Sequence, residues 1–496
     1  ERKAYDQHGN PTHLYDPLYI SNDKGHYREI IYDTTFFTFP VQEKIVVNSS
    51  RILTMSATYD FGFGTVLNSK DFNGHTTHYG YDVFGRITSI TKPLDTQATQ
   101  EFDYQLAKPI GDGKLINWVE TRQRESKNGG TVDSRKYYDG LSRLVMTRSE
   151  GEFTGQIVVS DTVQFNARKA PAKNYLPYFE TGTLAYKAPS FTNNFTTHTY
   201  DALGREIKME QPDGTFSQTD FEPLVKIIKD EEQTNASSSH FGAAMKYEED
   251  GLLNKDGAGR LRKVTELMPE AWLTQYRYDV LDNLTGYTDS QGNQKAIEYD
   301  GLSRKTFMND PDRGHMHYSY DAASNLKQTT DAKLQTIDYT YDGVNRLLAE
   351  HYQGSNEAAV KYHYDEAYGP ISPGLLYGAD VPQSYIDNLL SGQNPGAEGD
   401  ANSDGQFDVA DLVKLSKTST PKLTASNTLG QLAWVEDEAG EEHYNYDERA
   451  RKLWTIRQID DGQTQNNYYT GMAYDSMDRV TRLSYPDRSY VDYSFN

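Results

Sequence analysis

Residues 278–346 read YDVLDNLTGYTDSQGNQKAIEYDGLSRKTFMNDPDRGHMHYSYDAASNLKQTTDAKLQTIDYTYDGVNR. A Tyr-Asp pair opens four units in this stretch, at Tyr278, Tyr299, Tyr320 and Tyr341, and neighbouring pairs are 21 residues apart each time. A fixed period of this length indicates tandem copies of one supersecondary unit, which bury their apolar faces against one another. The stretch therefore predicts a repeat array.

Each unit follows one local pattern, which is Tyr-Asp, two variable residues, a turn residue, and then Arg or Asn. The turn residue is small or polar at eight of these sites: Gly85, Ser142, Gly204, Asp282, Ser303, Ser324, Asn345 and Asp478. Gly, Asn and Asp tolerate positive φ, and an Asp carboxylate can accept hydrogen bonds from the backbone N–H groups ahead of it. The pattern predicts hairpin turns at 82–85, 201–204, 279–282, 300–303, 321–324 and 342–345.

Residues between the turns alternate as expected for β-strands. In the segment 336–341, Ile337, Tyr339 and Tyr341 share one face of the predicted strand. A second turn, rich in Gly, Asp and Pro, falls about halfway through many units. A single hairpin is marginal, so we expect successive hairpins to pack with their repeat tyrosines in register. An ordinary β-sandwich is the alternative, but it does not explain a fixed period; the abundance of Gly, Asp and β-branched residues argues against a helical repeat.

Composition narrows the possible functions. The chain has 496 residues, 38 of them Tyr, and a net charge of −22, which disfavours binding to nucleic acid or anionic lipid. It has no cysteine, which excludes disulfides and thiolate metal sites, and no apolar run long enough to span a membrane. Because it begins at Glu1 without Met and ends in strand-like sequence, we interpret it as a piece of a longer polypeptide.

The YDxxGR pattern resembles the RHS/YD-repeat family, which includes bacterial RHS toxins, shell components of insecticidal Tc toxin complexes, and teneurins. The resemblance covers about 55–365 and 426–496, and the segment 32–40 looks like the start of the array in bacterial members. It implies an all-β fold in which tandem YD-repeat hairpins wind into an RHS-type shell, in a secreted or cell-surface bacterial protein. We expect a leading segment at 1–54, shell at 55–372, an insert at 373–420, and shell again at 421–496.

One family feature is missing from the sequence. Bacterial RHS shells often end in a self-cleaving motif of the DPxGL type, and neither Asp16-Pro17 nor Asp310-Pro311 continues in that way. We therefore expect the self-cleavage site and any C-terminal toxin domain to lie outside this chain.

The repeat pattern lapses between Tyr364 and Tyr446, and a twelve-residue EF-type calcium loop stands in the gap. Its predicted ligands are the side chains of Asp400, Asn402, Asp404 and Asp411, the backbone carbonyl of Gln406, and Asp408 through a water molecule. Gly405 stands at the sixth position, where the chain turns sharply. A solvated acidic loop is the alternative, but such loops rarely place a glycine and five oxygen side chains in this register.

The loop resembles a dockerin repeat, which has Asp at its last position. Short helices at 381–390 and 412–415 would flank it, so the expected insert is a small α-helical EF-hand module. A dockerin has two loops, whereas the counterpart near residues 378–380 lacks the ligand series. We expect one Ca²⁺, and the missing second loop argues against a cohesin-like partner.

No catalytic motif of the HExxH, GxSxG or P-loop type occurs, and His315 and His317 are interpreted as a surface pair. The leading hypothesis is a structural, non-enzymatic shell segment, whose partners are an enclosed or presented toxin domain encoded outside the chain, or other subunits of a toxin complex. An extracellular adhesion module that binds protein or glycan is one alternative. Part of a glycan-active enzyme, suggested by the dockerin-like insert, is another.

Overall fold

The computed structural model describes residues 2–110, 113–126, 129–190, 194–249, 259–267, 271–354, 359–371, 423–460, 465–487 and 489–495. Within these ranges the only helical elements are α1, Glu231–Thr234, and a 3₁₀ turn at Asn22–Lys24. The predicted all-β class is confirmed. No helix in the described part of the chain is long and apolar enough to cross a membrane.

Two antiparallel sheets contain all of the described strands. The first sheet has 14 strands, which neighbour one another in the following order: β1 Arg2–Tyr5, β2 Pro11–Tyr15, β3 Tyr27–Tyr32, β4 Pro40–Asn48, β5 Arg51–Asp60, β6 Thr65–Lys70, β7 Thr76–Tyr81, β8 Ile87–Thr91, β9 Gln100–Pro109, β10 Leu115–Arg124, β11 Thr131–Tyr138, β12 Leu144–Glu150, β13 Gln156–Ser160 and β16 Tyr178–Thr181.

The second sheet has 23 strands, again in spatial order: β14 Val163–Phe165, β15 Pro171–Tyr175, β17 Phe195–Tyr200, β18 Glu206–Glu210, β19 Phe216–Glu222, β20 Val225–Lys229, β21 Met245–Glu249, β22 Leu261–Leu267, β23 Ala271–Tyr278, β24 Leu284–Thr288, β25 Gln294–Tyr299, β26 Lys305–Asp310, β27 Gly314–Tyr320, β28 Leu326–Thr330, β29 Thr336–Tyr341, β30 Leu347–Gln353, β31 Val360–Tyr364, β32 Leu432–Asp437, β33 Gly440–Tyr446, β34 Lys452–Asp460, β35 Gln465–Tyr474, β36 Val480–Ser484 and β37 Tyr490–Asp492.

The predicted turns are present at all six positions, and we call a turn a YD turn when a Tyr-Asp pair, two variable residues and a residue of positive φ follow one another in it. In the turn at 82–86, the Asp82 N–H donates to the Arg86 carbonyl at 2.9 Å, and the Gly85 N–H donates to the Asp82 carbonyl at 3.0 Å. All eight predicted turn residues have φ between 60° and 82°. The strand pairing also shifts by one residue at each repeat tyrosine, as at Ser319/Tyr320, which marks a β-bulge there.

Because the sheets are meanders, alternate turns lie at opposite edges. We call the edge that carries the YD turns the YD edge, and the edge that carries the other turns the loop edge. The turns between β1 and β2, β7 and β8, β25 and β26, and β33 and β34 all lie on the YD edge, whereas the connections at 16–26, 71–75 and 92–99 lie on the loop edge.

The strip of hairpins winds round so that its late hairpins contact its early ones. Hydrogen bonds join residues separated by 317 to 386 positions in the sequence, and they connect the YD edge of late hairpins to the loop edge of early ones. We call β1–β28 the first coil, β29–β37 the second coil, and the contact between them the seam. The predicted shell-like winding is therefore present within this chain.

Connecting segments cover one face of the sheet at two places. Leu184 packs on Tyr137 and Met146 in one buried cluster, and Ile371 and Ala425 pack with Trp454 in a second buried cluster. Residues 366–371 and 423–426 thus lie against β34, and the backbones of Ile371 and Leu423 pair through two hydrogen bonds of 2.8 Å. The two residues that flank 372–422 are therefore adjacent. The predicted calcium ligands and flanking helices lie outside the described residues.

Candidate functional site

Each YD turn is held by its aspartate. Oδ1 of Asp300 accepts hydrogen bonds from the N–H groups of Leu302 and Arg304 at 2.9 and 3.0 Å, and Oδ2 accepts one from Arg304 Nε at 2.6 Å. Desolvation acts to raise the pKa of Asp300, but the hydrogen bonds from Arg304 and Leu302 hold it below its usual value. The same arrangement recurs at other units: Asp82, Asp139, Asp201, Asp342, Asp447 and Asp475.

The repeat tyrosine joins each hairpin to the one before it. The Tyr320 hydroxyl donates to the carbonyl of Lys305 at 2.9 Å, and Lys305 is the residue that pairs with Tyr299 across the preceding hairpin. The repeat tyrosines before and after it do the same at 3.0 and 2.8 Å. The four tyrosines of 278–346 thus occupy equivalent register positions, and burial raises the pKa of Tyr320.

The motif arginine makes a second link to the following unit. The Arg304 guanidinium carbon lies 4.9 Å from the centroid of the Tyr320 ring, and its Nη1 donates to the Asp321 carbonyl at 3.0 Å. Other pairs repeat the cation–π contact, at 4.5 Å for Arg86 on Tyr104 and 4.7 Å for Arg451 on Tyr474. Sequence reasoning missed this role, although the fixed place of Arg in the motif was a signal for it.

A buried ion pair lies in the seam. Arg449 Nη2, from a YD turn of the second coil, lies 2.6 Å from Asp95 Oδ2 on the loop edge of the first, and the two side chains are 5% and 2% exposed. Thr99 and Ser476 donate further hydrogen bonds to Asp95 at 2.6 and 2.8 Å. Burial acts to raise the pKa of Asp95, but these hydrogen bonds and the Arg449 charge together lower it.

Backbone contacts close the rest of the seam. The His26 N–H donates to the Gly343 carbonyl at 2.6 Å, and a Cβ added at Gly343 would lie 3.0 Å from Gly25 Cα and overlap the Val47 carbonyl oxygen. Further along, Asn73 bonds the backbone of Leu429 twice, through its Oδ1 and its Nδ2, both at 3.1 Å. The two edges are therefore in direct contact.

Known proteins resemble this chain in a short sequence segment and in fold. Residues 59–97 match the family profile of the RHS repeat. The chain carries an RHS repeat. A crystal structure of TcdB2-TccC3 superposes with a TM-score of 0.72 at 15% identity, covering 98% of this chain and 25% of that one. A chain of the Tc holotoxin pore of Photorhabdus luminescens superposes with a TM-score of 0.70 at 14% identity, covering 98% and 27%.

These likenesses show a shared fold, which is an RHS shell fold. The chain spans about a quarter of the length of the solved chains that it matches. The comparison with curated proteins gave no match. The matched RHS repeat contains the YD turn at 82–86 and also the loop-edge turn at 71–75, where Asn73 enters the seam. One RHS repeat thus supplies both kinds of turn from which the seam is built.

The predicted calcium ligands Asp400, Asn402, Asp404, Gln406, Asp408 and Asp411 lie outside the described residues. Among the described residues, no group of three or more His, Cys, Asp or Glu side chains is placed to hold a metal ion. His315 and His317 lie exposed on β27, and both rings contact Phe307, as expected for a surface pair.

Proposed function

We propose that the chain is a structural segment of a shell that encloses or presents a toxin domain encoded outside it, in a secreted or cell-surface bacterial protein. The seam carries this proposal. Arg449, Asp95 and Gly343 join two coils edge to edge, which makes a strip of hairpins into a continuous wall. The fold shared with chains of TcdB2-TccC3 and of a Tc holotoxin supports a toxin-complex setting.

The use of the repeated polar residues supports a structural, non-enzymatic role. The Tyr, Asp and Arg of each unit hold their own turn and the neighbouring hairpin, as Tyr320, Asp300 and Arg304 do. They are spread evenly along the strip, whereas a catalytic site needs a nucleophile, a base and an orienting group at one place. We propose that these residues give the wall stiffness.

Protease protection tests the enclosure. In the full-length gene product, we expect the domain beyond this chain to resist protease, and Asp95→Arg or Arg449→Asp to make it cleavable. The double exchange, which restores an ion pair of reversed polarity, should recover part of the protection. Arg482→Asp is the matched control, because the Arg482–Asp492 pair is 48% and 53% exposed. Equal digestion of that domain in the wild type and the seam variants would refute enclosure.

We also propose that residues 373–420 form a calcium module with one Ca²⁺, held by the residues predicted from the sequence. Four Asp side chains crowd into the twelve residues 400–411, and a hard dication relieves their repulsion. The paired backbones of Ile371 and Leu423 support the proposal, since an inserted domain needs adjacent ends.

Chelation tests the calcium module. We expect binding in the range of about 10⁻⁴–10⁻³ M, as in other extracellular modules, and cleavage within 373–420 after chelation while the coils stay intact. The Asp400→Asn, Asp404→Asn double variant should behave as the chelated protein does, and Asp220→Asn, on β19, serves as the acid-to-amide control. Identical digestion with and without chelator, with no heat of calcium binding, would count against the module.

A further inference from the structure

One histidine is completely buried in this sheet. His443 lies on β33, three residues before the repeat tyrosine of its hairpin, and its side chain is 0% exposed. His78 on β7 and His317 on β27 hold the same place in their own hairpins, and both are exposed. The hairpin by itself therefore leaves this position open to water, and a segment that lies on the sheet must bury His443.

The covering segment consists of residues 366–371 and 423–426, which we call the strap. The ring of Tyr368 lies 3.9 Å from the ring of His443, centroid to centroid, and its hydroxyl donates to Glu441 Oε2 at 3.2 Å. The apolar residues of the strap pack beside this contact on β34. The ring of His443 is thus enclosed between the sheet and the strap, and water reaches it only when the strap leaves the sheet.

The surroundings of His443 favour its neutral form. Nε2 of the ring lies 2.9 Å from Glu441 Oε2. The facing side chains of β34 and residues 423–426 are neutral. Burial lowers the pKa of His443, and the charge of Glu441 and the hydrogen bonds with Glu441 and Gln458 offset this effect only in part. The ionisable groups of the elements around the ring are Glu441 and Glu442 on β33, Glu436 on β32, His363 and Lys361 on β31, which pair with Glu436, and Tyr368 on the strap.

We propose that His443 is the proton sensor of a pH-sensitive switch, in which protonation of its ring opens the strap and frees both ends of the segment 372–422 from the sheet. When the strap is open, the ring is in water and titrates near its ordinary pKa of about 6.5. Because the closed strap lowers that pKa, the open strap binds the proton more tightly. The closed strap is therefore stable above about pH 6.5 and loses stability as the pH falls below it, by at most about tenfold per pH unit for one proton.

Hydrogen exchange of the full chain, read by mass spectrometry at about pH 7.5 and about pH 5 and corrected for the intrinsic pH dependence of amide exchange, tests the proposal. The reporters are the N–H groups of Ile371, Leu423 and Ala425, which donate to strap carbonyls at 2.8, 2.8 and 2.9 Å. Their protection should fall by roughly tenfold in acid. Residues 182–187 are the internal control, because they cover a second buried cluster that contains no histidine, and their protection should stay constant.

Two variants remove the proton site and keep a side chain of comparable size. His443→Phe retains an aromatic ring under Tyr368, and His443→Gln retains a polar group beside Glu441. In both variants the protection of the strap should be the same at the two pH values, whatever its absolute level. His317→Phe is the matched control, because it removes a histidine from the same register position of an uncovered hairpin, and it should keep the response of the wild type.

Three outcomes would overturn the proposal. The first is a wild-type strap whose protection does not change between the two pH values. The second is a response that persists in both His443 variants, since the sensor would then be a carboxylate such as Glu441. The third is a parallel loss of protection in residues 182–187, because acid would then loosen the chain as a whole. Circular dichroism at both pH values establishes that each variant is folded, and if one is not, the other variant decides.

Discussion

Gly301 and Gly343 occupy the same place in the repeat, directly after the Tyr-Asp pair, and they meet different surroundings. A Cβ at Gly301 would have no atom within 4 Å, whereas a Cβ at Gly343 would overlap the Val47 carbonyl oxygen. The first belongs to the first coil and the second lies in the seam. The comparison teaches that the motif sets the turn, while the place of the turn in the winding decides what the turn contacts.

The side chains at the two variable positions of the YD turns differ between the two coils in the same way. Val280, in the first coil, is 96% exposed, and the Arg449 side chain, in the second, is 5% exposed and paired with a buried carboxylate. Both turns are closed in the same way, because Oδ1 of Asp279 and of Asp447 accepts a hydrogen bond from the backbone N–H four residues ahead. Because the turn does not depend on the residues at these two positions, they are free to suit whatever lies on that edge.

Removal of the seam ion pair should have the largest effect. Arg449→Met leaves Asp95 buried without its cation, and breaking one partner of a buried pair costs about 3–5 kcal/mol. We expect a clear fall in the unfolding midpoint in urea and early protease cleavage of the second coil.

The matched control for that prediction is Arg482→Met, which breaks the exposed pair with Asp492 and should cost about 0–1 kcal/mol. Equal losses in the two variants would mean that the seam contributes no more than a surface contact, and would remove the distinction between the coils.

Acid should abolish the difference in stability between the wild type and Arg449→Met. The pKa of Asp95 is lowered in the folded protein, so its contribution to stability is present above the unfolded pKa of about 3.9 and is lost as the pH falls through the folded pKa. In Arg449→Met the lowering effect of the Arg449 charge is gone, so Asp95 is protonated at a higher pH in the variant than in the wild type. The gap in stability between wild type and Arg449→Met should therefore be largest at neutral pH and shrink as the pH falls and Asp95 is protonated, first in the variant and then in the wild type. Urea titrations at several pH values measure it; a gap that does not shrink in acid would mean that the ionised Asp95 is not its source.

Sequence alone was sufficient for the repeat unit. The 21-residue step, the Tyr-Asp pair and the turn slot predicted the hairpins, because the contacts of Asp300 with Leu302 and Arg304 lie within five residues of the chain. The positive φ of Ser303 and Asp282 followed from the same slot. Local hydrogen bonding is what such a motif encodes.

Sequence could not predict the seam, because its partners are 317 to 386 residues apart and stand at variable positions of the motif, such as Gly343 and Arg449, as well as at turn residues, such as Asn345 and Asp478. Nothing in the local pattern distinguishes Gly343 from Gly301, or marks Asp95 among 72 acidic residues. Val280 and Leu281 stand in a predicted turn, where residues are normally polar, so the sequence did mark these two positions as unusual. The calcium ligands remain a prediction.

A valine in the seam should have a smaller effect than loss of the ion pair. Gly343→Val forces a side chain against Val47 and Gly25, and overpacking of this kind costs about 1–3 kcal/mol. Gly301→Val places the same side chain in open space at the same motif position, so its cost should be much smaller. Urea unfolding of the two variants measures the difference, and similar losses would show that the motif itself, rather than the seam, requires glycine.

The smallest effect on stability is expected at the most exposed of the apolar turn residues. Val280→Ser removes an apolar side chain that is 96% exposed, and surface substitutions of this kind change stability by about 0.5 kcal/mol or less. Val344→Ser changes the same residue type one position further along a YD turn, where the side chain is half-buried against the first coil, and should cost about 1 kcal/mol. An effect of Val280→Ser as large as that of Val344→Ser would mean that the Val280 side chain is covered in the folded chain, and that the two coils do not differ in the way their exposure indicates.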